Sequence, residues 1–125
     1  MRSFVLFLIA LIFAAPVSAE KRAFIVGIGE YEELTDLRKT IGDAIGYEEL
    51  FGDDLGYSVT KLTNPDQITF VEAFGNFLET VQEDDEVIFV FSGHGWTDNA
   101  ENYLVMSDAP REASEFALKS RTIPL

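Results

Sequence analysis

Cysteine is missing altogether from this 125-residue chain, histidine occurs once, and Lys and Arg together number 9 against 22 Asp and Glu. Each scarcity closes off a class of function. Without cysteine there is neither a disulfide framework nor a thiolate metal site. A single histidine nearly removes zinc as well, since carboxylates alone favour harder ions. The formal charge of −13 argues against nucleic acid as a partner, because phosphate recognition needs clustered Lys and Arg. It suits a basic partner or a basic peptide, though a solvated acidic surface is the commoner explanation of such a charge. What the chain has in quantity is apolar material. Its residues are 47% hydrophobic and include eleven phenylalanines, enough for the core of one ordinary globular domain.

Residues 1–19 read as a leader outside the fold. Arg2 supplies a short positive start, 4–15 is an unbroken apolar run, and Pro16-Val17-Ser18-Ala19 provides a small-residue cleavage site. The expectation is export to the periplasm or medium, with cleavage after Ala19. The alternative is an uncleaved anchor, the only route by which this chain would meet a membrane. So short a run barely spans a bilayer.

From residue 20 onward, strand and helix signals alternate. The run "AFIVGIG" at 23–29 is continuously apolar and closed by glycine, as a strand covered on both faces reads. Leu37, Ile41, Ala44, Ile45 and Phe51 then recur at roughly helical spacing, and "YSVTKL" at 57–62 is a short β-branched strand. "NPDQ" at 64–67 predicts a helix start with Asn64 as N-cap, Pro65 at N1 and Gln67 at N3. Phe70, Val71, Phe74, Phe77, Leu78 and Val81 form that helix's apolar stripe, and "EDDE" at 83–86 closes it in a solvated turn. The run 87–91 is the third strand. Such alternation predicts an α/β domain with a parallel sheet and helices on both faces.

His94, the one histidine, stands at the end of that third strand between Gly93 and Gly95. In open α/β sheets ligands bind beyond the carboxyl ends of the strands, where strand order reverses. A strand order of 2-1-3 puts that crevice between the loops at 29–36 and 92–99, with His94 in the second. The flanking glycines allow backbone conformations closed to other residues and remove side chains that would shield the ring. The plain alternative is a histidine tolerated in a surface loop.

Four blocks, "RAFIVGIGEYEELTDLRKTIGDA", "LGYSVTKLTNPDQITF", "VIFVFSGHG" and "ENYLVMSDA", resemble in order the caspase-like cysteine peptidases, especially the bacterial and metacaspase branches. The resemblance runs from about residue 22 to 109. It implies a caspase-like three-layer sandwich with a mostly parallel sheet, and proteolysis by a Cys–His dyad without a cofactor. It makes His94 the catalytic base and gives the backbone N–H of Gly95 a place in the oxyanion hole. In the metacaspase branch an aspartate of the first helix lines a pocket for Arg or Lys at P1, and Asp43 matches it, with Gly42 in place of the usual asparagine. The other reading of Asp43 is a solvent-facing or capping carboxylate.

One departure bears on activity. Thiolate attack needs a cysteine, and the chain has none. Family spacing puts the nucleophile roughly 50 residues beyond the histidine, past Leu125. The expectation is therefore a leader at 1–19 and, at 20–125, the amino-terminal half of a caspase-like domain, incomplete at its carboxyl end and inactive alone. The alternative is a non-catalytic exported module of the same fold, binding basic peptides or a partner protein.

Other chemistries fit less well. A dinucleotide fingerprint begun by Gly27-Ile28-Gly29 needs glycine where Glu32 stands. A nucleophile elbow around Ser92 needs glycine where Val90 stands. Glu30, Glu32, Glu33 and Asp36 lack the spacing of a known calcium loop and read as a solvated acidic loop.

Overall fold

The computed structural model describes residues 18–98, 101–112 and 114–125, so the leader expected at 1–19 lies almost wholly outside the described residues. Strand β1 (Lys21–Gly27) is the centre of a parallel sheet, with β2 (Ser58–Thr63) on one side and β3 (Glu86–Ser92) on the other. The order is 2-1-3, the one that puts a crevice between the loops after β1 and β3. The residues of β1 from Ala23 to Val26 are fully buried, because a central strand of a parallel sheet is covered on both faces.

Alternate residues of β1 serve different layers. Ala23 and Ile25 pack with Ala44 of helix α1 (Thr40–Glu48), which runs on through a π-helical stretch at Glu49–Asp54. Phe24 and Val26 pack with Phe70 and Phe77 of helix α2 (Gln67–Thr80) on the opposite face. The result is the three-layer α/β arrangement predicted. A second, antiparallel sheet was not foreseen. It has the order β4-β5-β6, made of β4 (Gly95–Asp98), β5 (Glu101–Val105) and β6 (Thr122–Pro124), with the short helix α3 (Glu115–Ser120) before β6.

Three local expectations are corrected. The N-cap of α2 is Asp66, whose carboxylate accepts the Thr69 N–H at 2.7 Å. Asn64 instead takes a left-handed conformation (φ 49°), which its short polar side chain tolerates. Its Oδ1 accepts the N–H groups of Gly29 at 2.8 Å and Glu30 at 3.1 Å, tying the loop after β1 to the end of β2. In the stripe of α2, Phe70 and Phe77 are buried, whereas Val71 and Leu78 are about half exposed. The turn after α2 is not simply solvated. Asp85 has no solvent-exposed side chain, and it accepts from Arg22 Nε at 2.7 Å, Glu20 N at 2.8 Å and Gln82 N at 3.0 Å. These bonds hold its carboxyl down to about 2, led by the Glu20 N–H and the Arg22 guanidinium.

Candidate active site

His94 leaves the carboxyl end of β3 two residues after Ser92, at the crevice where the strand order reverses. Its backbone is held at both polar groups. The His94 N–H donates to the Tyr31 hydroxyl at 2.8 Å, and its carbonyl accepts from the Val105 N–H at 3.1 Å. The Tyr31 ring lies 4.7 Å from the imidazole, centroid to centroid, and its hydroxyl donates onward to the Val105 carbonyl at 3.4 Å. Burial raises the Tyr31 hydroxyl above the usual phenol range, and the His94 N–H bond opposes that rise. The phenol is therefore neutral at physiological pH and able to accept and donate at once.

The imidazole is oriented from the loop after β1. Its Nε2 lies 2.8 Å from the Thr35 carbonyl oxygen. A carbonyl only accepts, so Nε2 carries the proton and, in the neutral ring, Nδ1 holds the free lone pair. A histidine fixed this way has the geometry of a general base whose second nitrogen is anchored.

The glycines around His94 do a different job from the one expected. Neither Gly93 nor Gly95 has positive φ among the described residues. Gly93 is required by close approach instead. A Cβ there would lie 2.8 Å from both the Phe91 ring and the Tyr31 hydroxyl. Gly95 opens β4 opposite Leu104, is exposed, and has only the Tyr103 carbonyl oxygen near a Cβ position, at 3.7 Å.

Asp43 lies on the exposed side of α1 beside a shallow hollow that Gly42, Gly46, Tyr47 and Leu50 also line. Its Oδ2 accepts from Ser92 Oγ at 3.0 Å. Asp43 and His94 are therefore both tied to the end of β3, Asp43 through a side-chain bond to Ser92 and His94 through the chain itself. His94 also lines a cavity of about 460 Å³, mostly apolar, with Leu34, Gly95, Trp96, Arg111 and Leu118 in its wall, which shares no lining residue with the Asp43 hollow.

The acidic loop after β1 is engaged rather than free. Asp36 Oδ1 accepts the Tyr31 N–H at 2.9 Å, and Glu33 Oε2 accepts the Arg111 N–H at 3.1 Å. No metal-holding cluster of three or more such side chains occurs among the described residues. Tyr31 and Thr35 were missed by sequence reasoning. Thr35 acts through its carbonyl, which every residue type carries, so no side-chain signal marks it.

No curated protein matches the chain. The family model described as the caspase domain matches residues 20–120. That match covers most of the chain, and the parallel sheet with a helix layer on each face agrees with it. The chain belongs to the caspase domain family, a family of the peptidase class.

Proposed function

We propose that this chain carries the histidine half of a Cys–His endopeptidase site and lacks the nucleophile. His94 is the base, acting through Nδ1. The Gly95 N–H contributes to the oxyanion hole, and Asp43 selects Arg or Lys at P1 in a peptide or protein substrate. The observation that carries this reading is the imidazole at the end of β3, held at Nε2 by the Thr35 carbonyl, with no hydrogen-bond partner at Nδ1 among the described residues. Catalysis needs a thiolate for that nitrogen to generate, and the 125 residues contain no cysteine, so the chain alone does not cleave peptides. Export follows from the leader at 1–19, with the processed chain beginning at Glu20.

Peptidase assays of the full chain on Arg, Lys and Asp substrates test the catalytic reading, with no turnover expected. Turnover abolished in His94→Ala would mean that a nucleophile other than cysteine serves the site. Binding of Arg peptides that survives Asp43→Ala would remove Asp43 from it. Intact-mass analysis from a secreting host tests export, and a full-length membrane-bound species would defeat it.

The second reading is a non-catalytic module that binds basic peptides or a partner protein. It is favoured by the absent thiol together with a free edge of the sheet. Among the described residues strand β3 pairs only with β1, and Val87 and Phe89 on it are 42% and 37% exposed. An apolar edge with unpaired backbone groups invites pairing or aggregation. Light scattering should show self-association, and a monodisperse, cooperatively unfolding monomer would argue against it.

A further inference from the structure

The cavity beside His94 has a composition unlike the rest of this acidic surface. Leu34, Trp96 and Leu118 give it apolar walls, His94 and Gly95 form one side, and Arg111 brings a guanidinium. Arg111 is held in place by its own backbone and Nε. Its N–H donates to Glu33 Oε2 at 3.1 Å and its Nε to the Glu33 carbonyl at 2.8 Å. Its side chain makes no ion pair among the described residues. A cation so placed, in a chain with a net charge of −13, favours an anion in the occupant.

We propose that this cavity is the subsite for the leaving side of the scissile bond, taking a bulky apolar side chain at P1′ followed by an acidic residue whose carboxylate meets Arg111. The inference rests on the reading of His94 and Asp43 given above. In acyl transfer by an imidazole base, the ring stands at the leaving nitrogen, because it returns its proton there. What is attached to that nitrogen therefore sits against the imidazole. Asp43 is tied to Ser92 and is absent from the cavity wall, while His94 and Gly95 are part of it. A peptide with its basic residue at Asp43 and its next residue against the ring reaches this cavity and not the Asp43 hollow. About 460 Å³ is ample for one large side chain. The specificity that results is basic–apolar–acidic, read across His94.

Trp96 is the only tryptophan in the chain and lies in the cavity wall, so its fluorescence reports occupancy. The full chain is titrated with acetylated, amidated peptides containing Arg-Phe-Glu, Arg-Gly-Glu, Arg-Phe-Gln and Ala-Phe-Glu. Arg-Phe-Glu should shift the Trp96 emission, and replacing Phe by Gly should weaken binding by about tenfold or more, the cost of leaving one aromatic side chain unburied. Glu should bind better than Gln in the wild-type chain, and Arg111→Gln should erase that preference, whereas an undiminished preference for Glu would remove Arg111 from the subsite. Equal affinity for the Phe and Gly peptides, with Arg still required and Asp43→Ala still damaging, would overturn the subsite and leave the P1 reading standing. Indifference to Arg-to-Ala in the peptide would overturn the P1 reading and, with it, the leaving-side assignment. No binding of any peptide would overturn both.

Discussion

The two faces of the parallel sheet differ in how closely their helices approach it. On the α2 face Phe24 meets the rings of Phe70, Phe74, Phe77 and Phe89, with centroids 5.1 to 6.1 Å away. The α1 face also holds Ile25, Tyr57 and Phe51, but helix and strand meet there through small residues. A Cβ on Gly27 would lie 2.6 Å from the Ala44 Cβ and 2.9 Å from the Thr40 carbonyl oxygen. Large rings fill a wide layer and supply burial energy. Small residues let a helix lie directly on the strand, and that closeness lets Asp43 on α1 reach Ser92 at the strand's end. The α2 face carries the larger aromatic cluster, and the close approach on the α1 face sets the geometry of the site.

Truncation of the aromatic face should have the largest effect. Phe24→Ala removes a fully buried ring and should cost about 3–5 kcal/mol, a large share of the roughly 5–15 kcal/mol that holds a domain folded. Denaturant unfolding measures it. A loss under about 1 kcal/mol would mean that the rings are not the main source of burial energy.

Enlargement on the opposite face should cost less in stability and more in geometry. Gly27→Ala forces α1 away from β1, for about 1–3 kcal/mol of overpacking. The Ser92–Asp43 hydrogen bond should open with it, visible as altered amide shifts at both residues. Stability lost with that bond intact would break the link between close packing and the site.

The clamp at Asp85 belongs to neither face and gives a pH test. Its carboxyl is held down to about 2, below its ordinary value of 3.8. The unfolded chain therefore binds the proton more readily. The clamp's contribution is complete above the ordinary value and is lost as pH falls from there toward about 2. Asp85→Asn should flatten the acid end of the stability curve and leave the phenylalanine layer's contribution unchanged.

Ser92→Ala should be the mildest change. It removes one partly exposed hydrogen bond, worth about 0.5–1.5 kcal/mol and here near the lower figure. It should alter affinity for Arg peptides through Asp43 with almost no shift in the unfolding midpoint.

Much of this was legible in the residues. The apolar runs at 23–29 and 87–91 marked two strands, of which the first is central and the second stands at the sheet's edge among the described residues, and the alternation with helices indicated a parallel sheet. His94 was legible because a lone imidazole after such a strand falls at the sheet's carboxyl edge. Asp66 was missed as the cap because Asn64 and Asp66 both have capping side chains, and the backbone of the β1 loop decided between them. The second sheet was missed because β6 is only three residues long and pairs with β5 at a distance.

The sequence by itself determined the layer order, the strand end that bears the histidine, and the absence of any thiol among these 125 residues, since periodicity and composition are local properties. The tertiary structure decided the rest. It chose which imidazole nitrogen is anchored, why Gly93 must be glycine, and that Asp43 meets Ser92. Each of those depends on atoms from segments far apart in sequence meeting within about 3 Å, and only the packed layers bring those segments together.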